Sequence, residues 1–267
     1  MKYSIMNTIP IELLCNIFSR CSEYAPVLKE TCYEWNQILS DKSVNLAVLS
    51  FEKMAARGHI DLLAYVGRNK IDDKRISCIL RHAAKGGHLN IMILAKEWGA
   101  NNYDDALTDA AEHGRIKAMR LLKEWGADDY DDALVTAAET GQILAMHLLK
   151  EWGATYYDRA LAHAATNEQI SAMHLLKEWG ATYYDWALAS AAMNGQILAM
   201  KLLKEWGATK YDWALISATK TNQILAMQLS KEWGATEYDN ALFYESRRIE
   251  IVELLKSWMN HEPIWDQ

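Results

Sequence analysis

Between residues 76 and 258 apolar side chains recur in short blocks at helical spacing, and most blocks end on glycine. Ala106, Leu107, Ala110 and Ala111 fall on one helical face. After Gly114 a second block runs from Ile116 to Trp125, apolar on most sides, and Gly126 closes it. The pair of blocks then returns. Trp98, Trp125, Trp152, Trp179, Trp206 and Trp233 stand 27 residues apart, and Tyr103, Tyr130, Tyr157, Tyr184, Tyr211 and Tyr238 keep the same step. A fixed period of this length marks a stacked repeat. The pattern predicts an all-α solenoid of helix–turn–helix units, with the alanines on helix A and the Met-x-Leu-Leu run on helix B.

Start and stop signals agree with that division. Thr155, Thr182, Thr209 and Thr236 each precede an aspartate by three residues (Asp158, Asp185, Asp212, Asp239), the spacing of a capping box with Asp in place of Glu. Asn101 and Asp128 offer the cap oxygen in earlier copies. The paired Asp104-Asp105 and Asp131-Asp132 sit where carboxylates offset the helix dipole, so capping explains them better than catalysis. Gly114, Gly141 and Gly195 end helix A at a left-handed position. Asn222 is an acceptable substitute, whereas Glu168 in that column predicts strain or an altered turn.

Helices of about ten residues cannot bury such wide apolar faces alone, so neighbouring copies must stack. The tryptophan column and the column Met119, Met146, Met173, Met200 and Met227 are expected to be core ladders. On that view truncating Trp152 in mid-array costs more than truncating Trp258 at the end. The Lys-Glu pair before each Trp, and His147 with His174, are expected on a solvated face. The array is expected over residues 50–258, in about eight helix pairs, with a tail over 259–267. Ser50–Gly67 is a degenerate unit, and the short last unit carries polar Glu245, Ser246, Arg247 and Arg248, as a cap would.

The string Thr-x-x-Asp-x-Ala-Leu-x-x-Ala-Ala-x-x-Gly, followed by an apolar helix ending in Gly-Ala, resembles the ankyrin repeat. Tyr156 stands for that family's Pro and Asp158 for its His. The unit lacks about six residues of the usual ~33, and the missing piece is where a β-hairpin finger would be. Near-identical short units of this kind look like the ankyrin-type arrays of giant DNA viruses. The resemblance implies protein binding, and without fingers the binding surface must rest on helices.

Residues 1–45 do not follow the repeat. Ile9-Pro10-Ile11-Glu12-Leu13-Leu14-Cys15-Asn16-Ile17-Phe18, with Leu28, Cys32, Trp35 and Asn36 behind it, resembles an F-box. Ser19–Tyr24 departs from that pattern. The resemblance implies docking to the Skp-type adaptor of a cullin ubiquitin ligase through Pro10, Leu13, Leu14, Ile17 and Phe18. The alternative is that these helices only cap the first repeat.

Composition narrows the function classes. The net charge of −7 argues against nucleic acid as the main partner, because phosphate binding needs clustered Lys and Arg. No apolar run approaches the ~20 residues of a membrane span, and the first residues lack a secretory apolar core. Cys15, Cys21, Cys32 and Cys78 form no CxxC pair and lie outside the near-identical copies, which is the usage of a reduced, intracellular chain. A cytoplasmic site is expected, the host cytoplasm if the protein is viral. No phosphate loop, GxSxG or HExxH occurs, so no enzyme, cofactor or metal is expected.

Copies of one ancestor stay alike where packing holds them and differ where nothing does, or where a partner selects. Helix A's outward stripe reads Asp105, Asp109 and Glu112, then Asp132, Thr136 and Glu139, then Arg159, His163 and Thr166, then Trp186, Ser190 and Met193, then Trp213, Ser217 and Lys220. It grades from acidic to aromatic. Trp186 and Trp213, extended by Met193 and Ile216, are expected to hold a protein target, with Asp105, Asp132 and Arg159 at the charged end. Packing of the two indoles over Tyr183, Tyr184 and Tyr211 is the alternative. Two functions fit: a substrate receptor for a ubiquitin ligase, or a plain scaffold that sequesters a protein, a host protein if the chain is viral.

Overall fold

The computed structural model describes residues 51–58, 60, 63, 73–244 and 249–259. The F-box-like positions Pro10, Leu13, Leu14, Ile17 and Phe18 lie outside these, as do Glu245, Ser246, Arg247 and Arg248. All fifteen elements among the described residues are α-helices. They fall in two compact units, one within Met1–Asn102 and one within Tyr103–Gln267.

The first unit holds α1 (Phe51–Arg57), α2 (Asp73–Gly86) and α3 (Leu89–Glu97). Met54, Ala55, Leu63, Ile76, Ile79 and Leu80 are buried in it. His88 Nε2 lies 2.9 Å from the carbonyl oxygen of Ala56 and so ties α3's start to α1's end.

The second unit is the repeat array. Its A helices are α4 (Tyr103–Glu112), α6 (Tyr130–Glu139), α8 (Tyr157–Thr166), α10 (Tyr184–Met193), α12 (Tyr211–Lys220) and α14 (Tyr238–Tyr244). Its B helices are α5 (Ile116–Glu124), α7 (Ile143–Trp152), α9 (Ile170–Glu178), α11 (Ile197–Glu205), α13 (Ile224–Glu232) and α15 (Ile249–Met259). Each A helix packs on the next A helix and on its own B helix, while successive B helices touch far less. The alanines explain this layering. Ala106, Ala110 and Ala111 and the alanines that repeat them in α6, α8, α10 and α12 are fully buried, and side chains that short let A helices approach closely. The methionine column is fully buried as expected.

The tryptophan column differs from expectation. Trp125, Trp152, Trp179, Trp206 and Trp233 are half-buried, and only Trp258, 8% exposed, is buried outright. Each pairs with its repeat's tyrosine, the ring centroids 5.4 to 5.8 Å apart. Five of these rings also take a lysine of the preceding copy. Lys123, Lys150, Lys177, Lys204 and Lys231 place Nζ 4.5 to 4.8 Å from the centroids of Trp152, Trp179, Trp206, Trp233 and Trp258. These lysines are therefore joints between copies, each worth about 0.5–1 kcal/mol. His147 and His174 likewise stand edge-on to Trp179 and Trp206.

The capping boxes expected at Thr155, Thr182 and Thr209 do not form. The N-cap residues are Tyr156, Tyr183 and Lys210, with no side-chain cap bond, and Asp129 rather than Asp128 caps α6. The aspartates reach outward instead. The N–H groups of Thr182 and Tyr183 donate to Asp158 Oδ1 at 2.6 and 2.8 Å, and Asp104, Asp131, Asp185 and Asp212 hold the next copy in the same way. A column that local sequence spacing assigns to its own helix thus fastens the following repeat.

Glu168 and Asn222 both adopt positive φ, 52° and 63°. Glu168 uses its position: Leu198 N–H donates to its Oε1 at 2.8 Å and Ala199 N–H at 3.4 Å, so it caps α11 of the next repeat. Where glycine occupies this column, as at Gly141, the next copy's Gln169 lies so close that a Cβ would stand 2.4 Å from its Oε1.

The described positions of the last repeat expose both polar and apolar side chains, Asp239, Glu250 and Lys256 among the polar ones. Phe243 is 81% exposed and Ile249 73%, although Val135 and Ala162 in the column of Phe243 are buried. Interior copies are covered by a following repeat, and among the described residues none follows α14–α15.

Candidate protein-interaction surface

Helix A's outward stripe divides into three chemically distinct parts. At its start Asp105 is exposed on α4, and Glu112 carries His113 Nδ1 at 3.7 Å. In the middle the polar side chains bind one another. Arg159 donates from a terminal guanidinium nitrogen to Asp132 Oδ1 at 2.6 Å, and His163 Nδ1 lies 3.1 Å from Glu139 Oε2. The expected contact residues Asp132 and Arg159 are therefore paired across α6 and α8, which removes much of the charge that would steer a basic partner. Tyr130 marks the same acidic end: its phenol is held above the ordinary range, by burial first and then by Asp128 and Asp104.

The third part is aromatic. Trp186 opens α10 and Trp213 opens α12, 44% and 54% exposed. Their position explains this. The residue two places into helix A points away from the B layer, and the same column holds exposed Asp105 and Arg159. Each indole is partly covered and partly open, with Tyr183 and Tyr184 beside it. They line a groove of about 240 Å³ with those tyrosines, Asp185 and Gly207. Met193 is exposed at the other end of α10, its carbonyl accepting from Thr221 Oγ1, and Ile216 is half-buried on α12.

Sequence reasoning missed two features. Tyr183 and Asp185 belong to the groove wall, although the spacing of Asp185 points to capping alone. Leu144, Leu198 and Leu225 are exposed on the B helices, at a position that holds Lys117 and Ser171 in other copies. That variability was the available signal. Among the described residues no group of His, Cys, Asp or Glu could hold a metal ion, and no helix is long and apolar enough to cross a membrane.

No protein-family model and no curated protein sequence matches the chain. Among solved structures it is similar to the crystal structure of the human ASB11 ankyrin repeat domain, with a TM-score of 0.50 and 19% identity, over 69% of this chain and 98% of that one. Stacked helix pairs, alanine-lined A helices and this structural likeness together establish the fold as an ankyrin-repeat solenoid.

Proposed function

We propose that this protein is a non-enzymatic interaction scaffold whose array holds a protein target on helix A's stripe, centred on Trp186 and Trp213. The observation that carries the reading is the pair of half-exposed indoles on one groove, in an array where Trp152, Trp179, Trp206, Trp233 and Trp258 each carry a tyrosine and a lysine. Exposed aromatic clusters of this kind supply the anchors of protein interfaces. We further propose that residues 1–45 couple the array to the Skp-type adaptor of a cullin ubiquitin ligase through Pro10, Leu13, Leu14, Ile17 and Phe18. This part is supported by the residue pattern of that segment.

A photo-crosslinking residue at Ser190, between the two ends of α10, tests the target surface. In cells the wild-type chain gives a defined crosslinked partner, while Trp186→Arg/Trp213→Asp, which borrows side chains from sister copies, loses it at unchanged melting temperature. An unchanged crosslink removes this face. A pull-down with purified adaptor tests the second part, since truncating a buried anchor costs about 2 kcal/mol or more. Equal retention of wild type and Leu14→Ala/Phe18→Ala, or retention of neither, leaves a plain sequestering scaffold.

A further inference from the structure

The groove between α10 and α12 has the composition of a cation site. Trp186, Trp213, Tyr183 and Tyr184 line it with Asp185. Aromatic faces attract cations through their quadrupole, and tryptophan does so most strongly. This molecule uses that chemistry throughout: a lysine ammonium lies over Trp152, Trp179, Trp206, Trp233 and Trp258 in turn. Among the described residues no cation lies over Trp186 or Trp213, and both remain half-exposed.

The carboxylate is preorganised. Asp185 Oδ1 accepts from the N–H groups of Thr209 at 2.7 Å and Lys210 at 2.9 Å, which fixes it at the groove wall. Arg159, the basic residue of the neighbouring copy's equivalent position, is spent on Asp132 at 2.6 Å. Lys210 is the basic side chain adjoining the site in sequence, and it is exposed.

From these placements we infer that the groove accepts an arginine side chain of a basic protein segment, with the guanidinium against the indoles and its charge facing Asp185. A guanidinium suits the site better than an aliphatic anchor because it is planar, weakly hydrated and stacks on aromatic faces while keeping its charge. The inference rests on the target surface proposed above and names the chemistry of what enters it.

The test uses the full chain and two probes, acetyl-Gly-Gly-Arg-Gly-Gly-amide and its citrulline counterpart, which keeps the shape and loses the charge. Indole N–H signals of Trp186 and Trp213 are followed by NMR, assigned by Trp186→Phe and Trp213→Phe. The arginine peptide shifts both saturably and binds about fivefold or more tighter than the citrulline peptide. Asp185→Asn keeps an oxygen acceptor for Thr209 and Lys210 and brings the arginine peptide down to the citrulline level. Lys210→Gln tightens it. Equal affinity for the two peptides, absence of a saturable shift, or binding indifferent to Asp185→Asn overturns the inference. Equal affinity leaves the target surface standing as an apolar one, whereas loss of that surface shows in the crosslinking experiment, which does not depend on these peptides.

Discussion

Leu144 and Met146 lie two residues apart in α7, yet Met146 is fully buried and Leu144 is 75% exposed. A helical turn of 3.6 residues puts them about 200° apart around the axis, so one side chain faces the A layer while the other faces water. Met146→Ala should cost about 2–5 kcal/mol, the range for a large side chain removed from a packed core. Leu144→Ala should stay within about 0.5 kcal/mol. Urea denaturation midpoints check the pair, and similar costs would show that Leu144 is covered in solution. Periodicity made the methionine column legible because its burial lies inside the repeat. The role of Lys150 was not legible, because its partner Trp179 is 29 residues away and belongs to the next copy. Spacing within one helix carries no record of what stacks upon it.

At the scale of helices, the joints between copies use groups that local rules assign elsewhere. Asp158 has capping-box spacing from Thr155 but bonds Thr182 and Tyr183 of the next repeat. Glu168 is the clearest case, because two opposed effects meet at one residue. Its positive φ costs about 1 kcal/mol relative to glycine, and its bonds to Leu198 and Ala199 N–H recover a similar amount by capping α11. Glu168→Ala keeps the unfavourable backbone and loses the cap, so it should destabilise by about 1 kcal/mol. Glu168→Gly loses the cap and relieves the backbone, so it should fall within about 0.5 kcal/mol of wild type. Thermal melts of the two variants decide the matter: Ala and Gly variants of equal stability would mean that backbone strain is absent there. The sequence flagged this position correctly as irregular. The rescue was hidden because it comes from 30 residues downstream.

At the scale of the array, local depth and position compete, and the tryptophans separate them. Fold class and period were legible because copies repeat their packing residues. The order of burial along the column was not, since it depends on what stacks on either side of each copy. Trp258 is the most deeply buried of its column, packed on Tyr238 and covered by Lys231, but among the described residues its repeat has a neighbour on one side. Trp152 is half-buried and has neighbours on both. In a stack whose stability is nearly a sum of repeats and nearest-neighbour interfaces, a lesion at the end stays at the end. Trp258→Ala should remove about 3–5 kcal/mol of local stability, and α14–α15 should exchange their amide hydrogens with solvent much faster while α6–α9 keep wild-type protection. Trp152→Ala opens a smaller void but weakens two interfaces, so faster exchange should extend over α6 and α7 and into both flanking repeats. Hydrogen exchange read by mass spectrometry resolves these segments. Faster exchange in α6–α9 of the Trp258→Ala chain would show that the array opens as a single cooperative block, and the picture of repeats coupled one joint at a time would have to be given up.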